Sequence, residues 1–449
     1  MASSVDGLVS GLSTTSMIQS LLQAEAGPQT RLKVKVSTAQ TVMSSYQSVN
    51  SKLVGLKNAA ADVGALATWR SIKPTTNSSS VTATAVGGTN TTTGSLTFDV
   101  VDLAKGQVNT ARVATTGDAT TADSFTVQVG TGDPVTVPLT DKSAQGIADA
   151  LNKAGVGVKA SVVTTGGATN VLQFSAAKTG TGNAFTVAGL DDLGMATIAA
   201  TDAKLQVGGA DADGGFAVTS GTNTFTGLIA GVTVTVAKKE AGVTLNVESD
   251  VSNIAGKFQA LVDAANAALG EVTAQTKYDP ATKVGSPLTG DFMVRQLSQK
   301  ILSTVSQGLS FDDPTFVADP GDPGKKATKI NFGSLSKFGI ELDRGGQLTF
   351  NQEKFTATYN ADPGAMKTAG IALGDTFRAV ANTQITDVTS AITGRKNSFD
   401  ALTVQISNWD VRLAAKQVAL TKQYAGLESA LGKLKNQSSW LSGQIASLG

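Results

Sequence analysis

The chain has 449 residues, 41 % of them apolar, and its 36 lysines and arginines nearly cancel its 35 aspartates and glutamates. That length predicts about three domains, and the balance of charge leaves no field to attract nucleic acid or an anionic membrane. With neither cysteine nor histidine, the chain has no disulfide framework, no Ser-His-Asp triad, no Cys–His dyad and no histidine zinc site.

The first seventeen residues, MASSVDGLVSGLSTTSM, lack the basic and apolar regions of a Sec-type signal peptide. No run of 18 apolar residues predicts a membrane-spanning helix. Residues 1–12 read as a glycine-punctuated arm. Ser13, Thr14 and Thr15 offer caps for a short helix carrying Ile18, Leu21 and Leu22, which Gly27-Pro28 ends. A second helix begins near Gln29. Its stripe is Leu32, Val36, Ala39, Met43, Tyr46, Val49, Leu53, Leu56, Ala60 and Val63, with one slip of phase near Met43. The alternation of threes and fours is that of a coiled coil.

After Trp69 the period becomes two. Leu96, Phe98 and Val100 alternate with polar residues, as do Phe125, Val127 and Val129, then Val135 and Val137, Val158, Ala160 and Val162, Leu172 and Phe174, Val232, Val234 and Val236, and Val243, Leu245 and Val247. These are half-buried antiparallel strands. One helix interrupts them, with Ser143 as cap, Ile147 and Leu151 on one face and Gly155 as stop. Residues 81–248 are therefore one or two β-rich domains.

Helical spacing returns at Asp250, an N-cap, with Ile254, Phe258, Leu261, Ala265 and Leu269. A turn at Tyr278-Asp279-Pro280 follows, then a helix from about Asp291 to Gln307. Residues 311–328 read as an exposed loop, residues 342–350 as a hairpin, and Asn351 as the cap of a short helix carrying Phe355 and Tyr359. A final helical run is predicted to start near Asp375, to bend at Gly394 and to continue into terminal heptads. Their seam is Leu420, Tyr424, Leu427, Leu431, Leu434, Ser438, Leu441, Ile445 and Leu448, with Trp409 and Leu413 before it and Trp440 beside it. From Ile406 to Leu448 such a helix is about 60 Å long. The simplest account lays the two terminal helices side by side, with everything between them an excursion. The alternative is two separate helices on one globular core.

Candidate chemistry is thin. Asp211-Ala-Asp213-Gly214 opens like a calcium loop, but its glycine falls at the fourth position and Thr222 stands at the twelfth, so it reads as a turn. Gly324-Lys325 lacks the rest of a phosphate loop. Asp191-Asp192 and Asp312-Asp313 are neighbouring acids of turn-rich stretches, and Lys33, Lys35, Lys52 and Lys57 solvate outer helix faces. No catalytic, cofactor or metal residue is nominated, and no enzyme activity is expected.

A set of short motifs resembles a known family. They are Gly7-Leu-Val-Ser-Gly-Leu12 leading to Ile18-Gln-Ser-Leu-Leu22 and Pro28, Tyr46-Gln-Ser-Val-Asn-Ser-Lys-Leu53, Thr224-Phe-Thr-Gly-Leu-Ile-Ala-Gly-Val232, Thr276-Lys-Tyr-Asp-Pro280, Leu288-Thr-Gly-Asp291, Phe338-Gly-Ile-Glu-Leu-Asp343 with Gly346-Gln-Leu-Thr-Phe350, and Asn436-Gln-Ser-Ser-Trp-Leu441. Each is weak, but in this order they are similar to the flagellar filament cap family, FliD or flagellar hook-associated protein 2. Residues 143–187 resemble the small module inserted in flagellin-type proteins. Ser13 departs from the family's usual Asp at that position; both cap helices.

The resemblance implies an α+β multidomain fold: a terminal α-helical coiled-coil leg (1–45 plus 405–449), an α-rich support domain (46–80 plus 249–404) and inserted β-rich head domains (81–118 plus 200–248, and 119–199). It implies a homo-oligomeric ring, usually a pentamer, at the filament tip, reached through flagellar type III export. Its partners would be flagellin, hook-associated junction proteins and a cytoplasmic export chaperone on the C-terminal helix. The residues expected to carry pairing and assembly are Leu32, Val36, Met43, Tyr46, Val49, Leu53, Leu56, Trp409, Leu413, Leu420, Tyr424, Leu427, Leu431, Leu434, Leu441, Ile445 and Leu448. Competing readings are a surface adhesin using the β-rich heads, and another flagellar rod-type protein, flagellin or a hook–filament junction protein.

Overall fold

The computed structural model describes residues 11, 13–88, 90–317 and 326–447. Most of the expected N-terminal arm, Leu448 and the Gly324-Lys325 pair lie outside them. The helices in chain order are α1 (Thr14–Glu25), α2 (Gly27–Gly64), the single turn α3 (Leu66–Trp69), α4 (Ala144–Ala154), α5 (Val251–Thr276), α6 (Phe292–Ser306), α7 (Gln352–Ala361) and α8 (Pro363–Ala446). The chain divides into two compact units, residues 66–254 and residues 1–65 with 255–449.

The unit of residues 66–254 holds two β cores. In the first, the strands Ile72–Thr76, Glu240–Ser249, Gly94–Asp102, Ala203–Val207 and Phe216–Ser220 form a sheet in that spatial order. A second sheet (Thr224–Thr226, Val232–Val236, Val81–Ala85) belongs to the same core, where Phe98, Val100, Leu205, Val234 and Leu245 are buried. The strand Ile72–Thr76 escapes a reading by alternation because it contains Pro74. It lies at the sheet edge, paired only with Glu240–Ser249, and an edge is where a residue without an N–H is tolerated.

The second β core packs α4 against two sheets, with Ile147 and Leu151 among Phe125, Leu172 and Phe174. The helix ends match expectation: Ser143 Oγ accepts from Gly146 N at 3.1 Å, and Gly155 takes the left-handed conformation, φ 66°. One boundary moves. The strand Val108–Ala114, expected in the first head domain, pairs with Thr169–Ala176 and contributes Ala111 and Val113 to the second core. Likewise, residues 66–80, expected with the support domain, group with the heads.

In the other unit, Phe258 of α5 stacks on Phe338 at 5.2 Å and packs at a tilt of 45° against Phe355 of α7 at 4.8 Å. Leu53 and Leu56 of α2, Leu297 and Ile301 of α6 and Phe377 of α8 are buried with them. Three sequence expectations are corrected. The last helix starts at Pro363, twelve residues before Asp375, because the Asp362 carboxylate accepts from Ala365 N at 2.9 Å and Pro363 enters a first turn that needs no N–H. It passes Gly394 without interruption. Residues 311–312, assigned to the loop, belong to the strand Leu309–Asp312, which pairs with Lys329–Gly333. Gly27-Pro28 opens α2 rather than closing α1; only Ala26 separates the two helices.

Candidate functional site: the terminal helix pair

Three contacts define how α2 and α1 lie on α8. A β-carbon on Gly374 would stand 2.3 Å from Gly64 N. Gln29 Nε2 donates to Asp410 Oδ1 at 2.5 Å, and Lys416 Nζ lies 3.6 Å from Glu25 Oε2. The paired residue numbers sum to 438, 439 and 441, as they must for antiparallel helices in one register. The pairing spans residues 25–64, about 60 Å of helix.

This geometry sorts the seam residues. Tyr46, Val49, Leu53 and Leu56 are buried in the core of the unit. Leu32, Val36 and Met43 on α2, and Trp409, Leu413, Leu420, Tyr424 and Leu431 on α8, are half-buried. Leu427, Leu434, Leu441 and Ile445 are 50, 60, 54 and 65 % exposed, and Trp440 beside them is 67 % exposed. The cause is length. The register sets Thr14, where α1 begins, opposite residue 426 or so, and α8 runs on to Ala446. Past that point, over about 30 Å of helix, the seam residues Leu427, Leu434, Leu441 and Ile445 are half or more exposed. Half to two-thirds exposed, each large side chain on it retains roughly 1–2 kcal/mol of unspent burial energy.

At the other end the pair is anchored by polar groups that sequence reading handled singly. The Tyr46 hydroxyl donates to Asp291, whose other carboxylate oxygen accepts from Val294 N at 3.1 Å and so caps α6. Burial pushes the Tyr46 hydroxyl pKa up, and the hydrogen bond to Asp291 and the charge of Asp291 add to it, while Arg395 opposes them. Gln384 of α8 is fully buried and donates to the Leu297 carbonyl at 3.2 Å. Gln29 stands in phase with Leu32 and Val36, and Gln384 with Ala381 and Val388. The signal that would have found them is a lone amide in a stripe of the right phase.

The acids weighed as chemical candidates are structural. Asp192 accepts from Thr120 Oγ1 and from Thr121 N at 3.0 Å, and the Thr121 N–H holds its carboxyl below the usual range. Asp312 pairs with Lys329 at 3.1 Å, and Asp313 accepts from Thr315. Asp211 and Asp213 lie in a 3-10 turn closed by Gly214 at φ 85°. Among the described residues no three His, Cys, Asp or Glu side chains gather as a metal site, and no helix is long and apolar enough to cross a membrane.

A family model for the C-terminus of flagellar hook-associated protein 2 matches residues 200–436, and one for its N-terminus matches residues 10–107. The chain belongs to this family. Flagellar hook-associated protein 2 of Escherichia coli strain K12 is 24 % identical over 98 % of this chain and 97 % of its own length. That of Salmonella typhimurium is 26 % identical over 72 % and 71 %. The crystal structure of the D1-D2-D3 domains of the flagellar cap protein FliD from Escherichia coli superimposes with a TM-score of 0.57, at 23 % identity, over 78 % of this chain and 99 % of that one. Membership of the FliD family makes the chain a structural component of the flagellum, a filament capping protein, and favours neither the adhesin nor the flagellin-like reading.

Proposed function

We propose that copies of this chain form a ring, a pentamer, at the filament tip, where it guides flagellin subunits into place and prevents their loss. The observation that carries this is the uncovered stripe on α8. A chain that worked alone would leave that apolar surface in water, whereas an assembling one covers it against another subunit. Flagellin and the hook-associated junction proteins are its partners there. Residues 1–45 with 405–449 act as the leg, residues 46–65 with 255–404 as its support, and residues 66–254 as heads, with the strand Val108–Ala114 in the second head.

Before assembly the same stripe needs a cover, and a cytoplasmic export chaperone on the C-terminal helix supplies it during passage through the type III route. The test is complementation of a strain lacking its cap protein. The unaltered chain restores filament growth, and a chain bearing Leu434→Asp does not. Full growth with Leu434→Asp and Leu441→Asp together would refute the role of the stripe.

A further inference from the structure

We infer that the two β cores of residues 66–254 are clamped into one rigid arm, so that the heads move as a single body. The chain crosses between the cores twice, outward over residues 103–107 and back over residues 199–202. Two short tethers would ordinarily leave the domains they join free to swing. Here the tethers pair with each other. Lys105 N donates to the Thr201 carbonyl at 2.9 Å, and Thr201 N donates to the Lys105 carbonyl at 3.1 Å. This bridge keeps the register of Asp102 with Lys204 on one side of it and of Val108 with Ile198 on the other. A shift of register between Lys204 and Leu205 brings the first core's sheet into that phase. One antiparallel register therefore runs from the first core's sheet, through the crossing, into the second's.

A two-stranded ribbon by itself is only marginally stable, and contacts from both cores brace this one. Asn223 lies in the turn between the first core's strands Phe216–Ser220 and Thr224–Thr226. Its side chain accepts from Ala104 N at 2.7 Å and donates to the Ala104 carbonyl at 3.2 Å, standing where a third strand would. The turn after the second core's strand Thr169–Ala176 touches the ribbon and the Asn223 turn together. Gly180 N donates to the Lys105 carbonyl at 3.2 Å, and Thr179 Oγ1 to the Gly221 carbonyl at 2.8 Å. Thr181 N and Oγ1 donate to the Asp202 carboxylate at 2.6 and 2.8 Å.

Thr181 is exposed, so water can replace its bonds to Asp202, and the brace depends more on Gly180. That residue is buried, at φ 93°, and a β-carbon on it would stand 2.5 Å from the Gly221 carbonyl oxygen. Only glycine lets the two turns meet. The contacts close a circuit: ribbon to Asn223, the Asn223 turn to the Gly180 turn, and the Gly180 turn back to the ribbon. A hinge needs a few backbone positions free to change φ and ψ. On the outward crossing Ala104, Lys105 and Gln107 are all held through main-chain hydrogen bonds, the last by Ala176 N at 2.9 Å. This rigidity rests on the fold alone; that a cap needs it rests on the role proposed above.

The chain has no cysteine, so spin labels on Thr82→Cys in the first core and Lys153→Cys in the second, both exposed positions, report the distance between cores in the full-length protein. Double electron–electron resonance reads it, with unlabelled chain added to suppress signals between copies. The labelled parent gives one narrow distance peak. Gly180→Ala with Asn223→Ala loses that peak to a broad distribution, and Asn223→Ala alone, which strains no backbone, broadens it in part. Gly166→Ala is the control: its φ is also positive, 74°, but nothing lies within 4 Å of the would-be β-carbon, and the narrow peak stays. A broad distribution in the parent, or a narrow one in both Asn223 variants, would overturn the rigid arm. Normal filament growth by the broadened variants would uphold the arm and show that capping does not need it.

Discussion

Gly64 on α2 and Gly374 on α8 meet backbone to backbone: a β-carbon at position 374 would lie 2.3 Å from Gly64 N and 2.6 Å from the Ala60 carbonyl oxygen. Neither obstacle is a flexible side chain, so the helices must separate to admit a methyl group. Gly374→Ala is therefore expected to destabilise the helical unit by about 1–3 kcal/mol despite alanine's better helix propensity. Gly394, in the same helix, has nothing within 4 Å of its would-be β-carbon, and Gly394→Ala should stabilise by up to ~1 kcal/mol. Urea unfolding followed by circular dichroism at 222 nm reads both, and equal signs would contradict this account.

The two ends of the seam should respond differently to charge. Leu53 is fully buried, and Leu53→Asp is expected to unfold the helical unit, at a cost of about 3 kcal/mol or more. Leu427 and Leu434 are half or more exposed, so Leu427→Asp and Leu434→Asp should leave the melting temperature within about 2 °C of the parent. The same two variants should abolish growth of filaments in a strain lacking its own cap protein.

Limited trypsinolysis should begin at Lys433 and Lys435. Both are exposed on the part of α8 where Leu427, Leu434 and Leu441 are half or more exposed, and a helix with little tertiary packing opens locally at little cost. Cleavage within residues 81–248, whose strands are hydrogen-bonded around two buried cores, should follow later. Mass spectrometry of the first fragments decides the order.

Tyr46 should confer an alkaline limit on the helical unit. Its folded pKa lies above the usual value of 10.0, so the protonated hydroxyl stabilises the fold fully below pH 10 and is lost as pH rises through the folded value. Tyr46→Phe removes a hydrogen bond to a charged group and should cost about 1.5–3 kcal/mol at pH 7. The gap between parent and variant should narrow above pH 10. Melting curves from pH 7 to 11.5 measure it, and a gap that widened would reverse the assignment.

Much of this architecture was legible in residue order. The period of two announced the strands around Phe98, Phe125, Leu172 and Val234. Ser143, Asp250 and Asn351 cap helices where expected, and Asp291 caps the helix expected to start there. Failures fell where a residue's usual local meaning was overridden from far away. The strand Ile72–Thr76, which no alternation marks, contains Pro74 and occupies a sheet edge. The last helical run, expected from near Asp375, starts at Pro363, and Gly374 serves close packing inside it. The strand Val108–Ala114 looked like part of the preceding domain until its partner, Thr169–Ala176, was known.

Hydrophobic spacing alone established that both ends of the chain are helices with a seam to cover, because a helix displays its own period whatever it touches. Which stretch of seam is covered within the chain and which is left bare is another matter. It depends on the axial offset between α2 and α8, set by contacts between residues more than 300 positions apart: Gly64 with Gly374, and Gln29 with Asp410. Such an offset has no local signature, since a heptad stripe reads the same from every starting point.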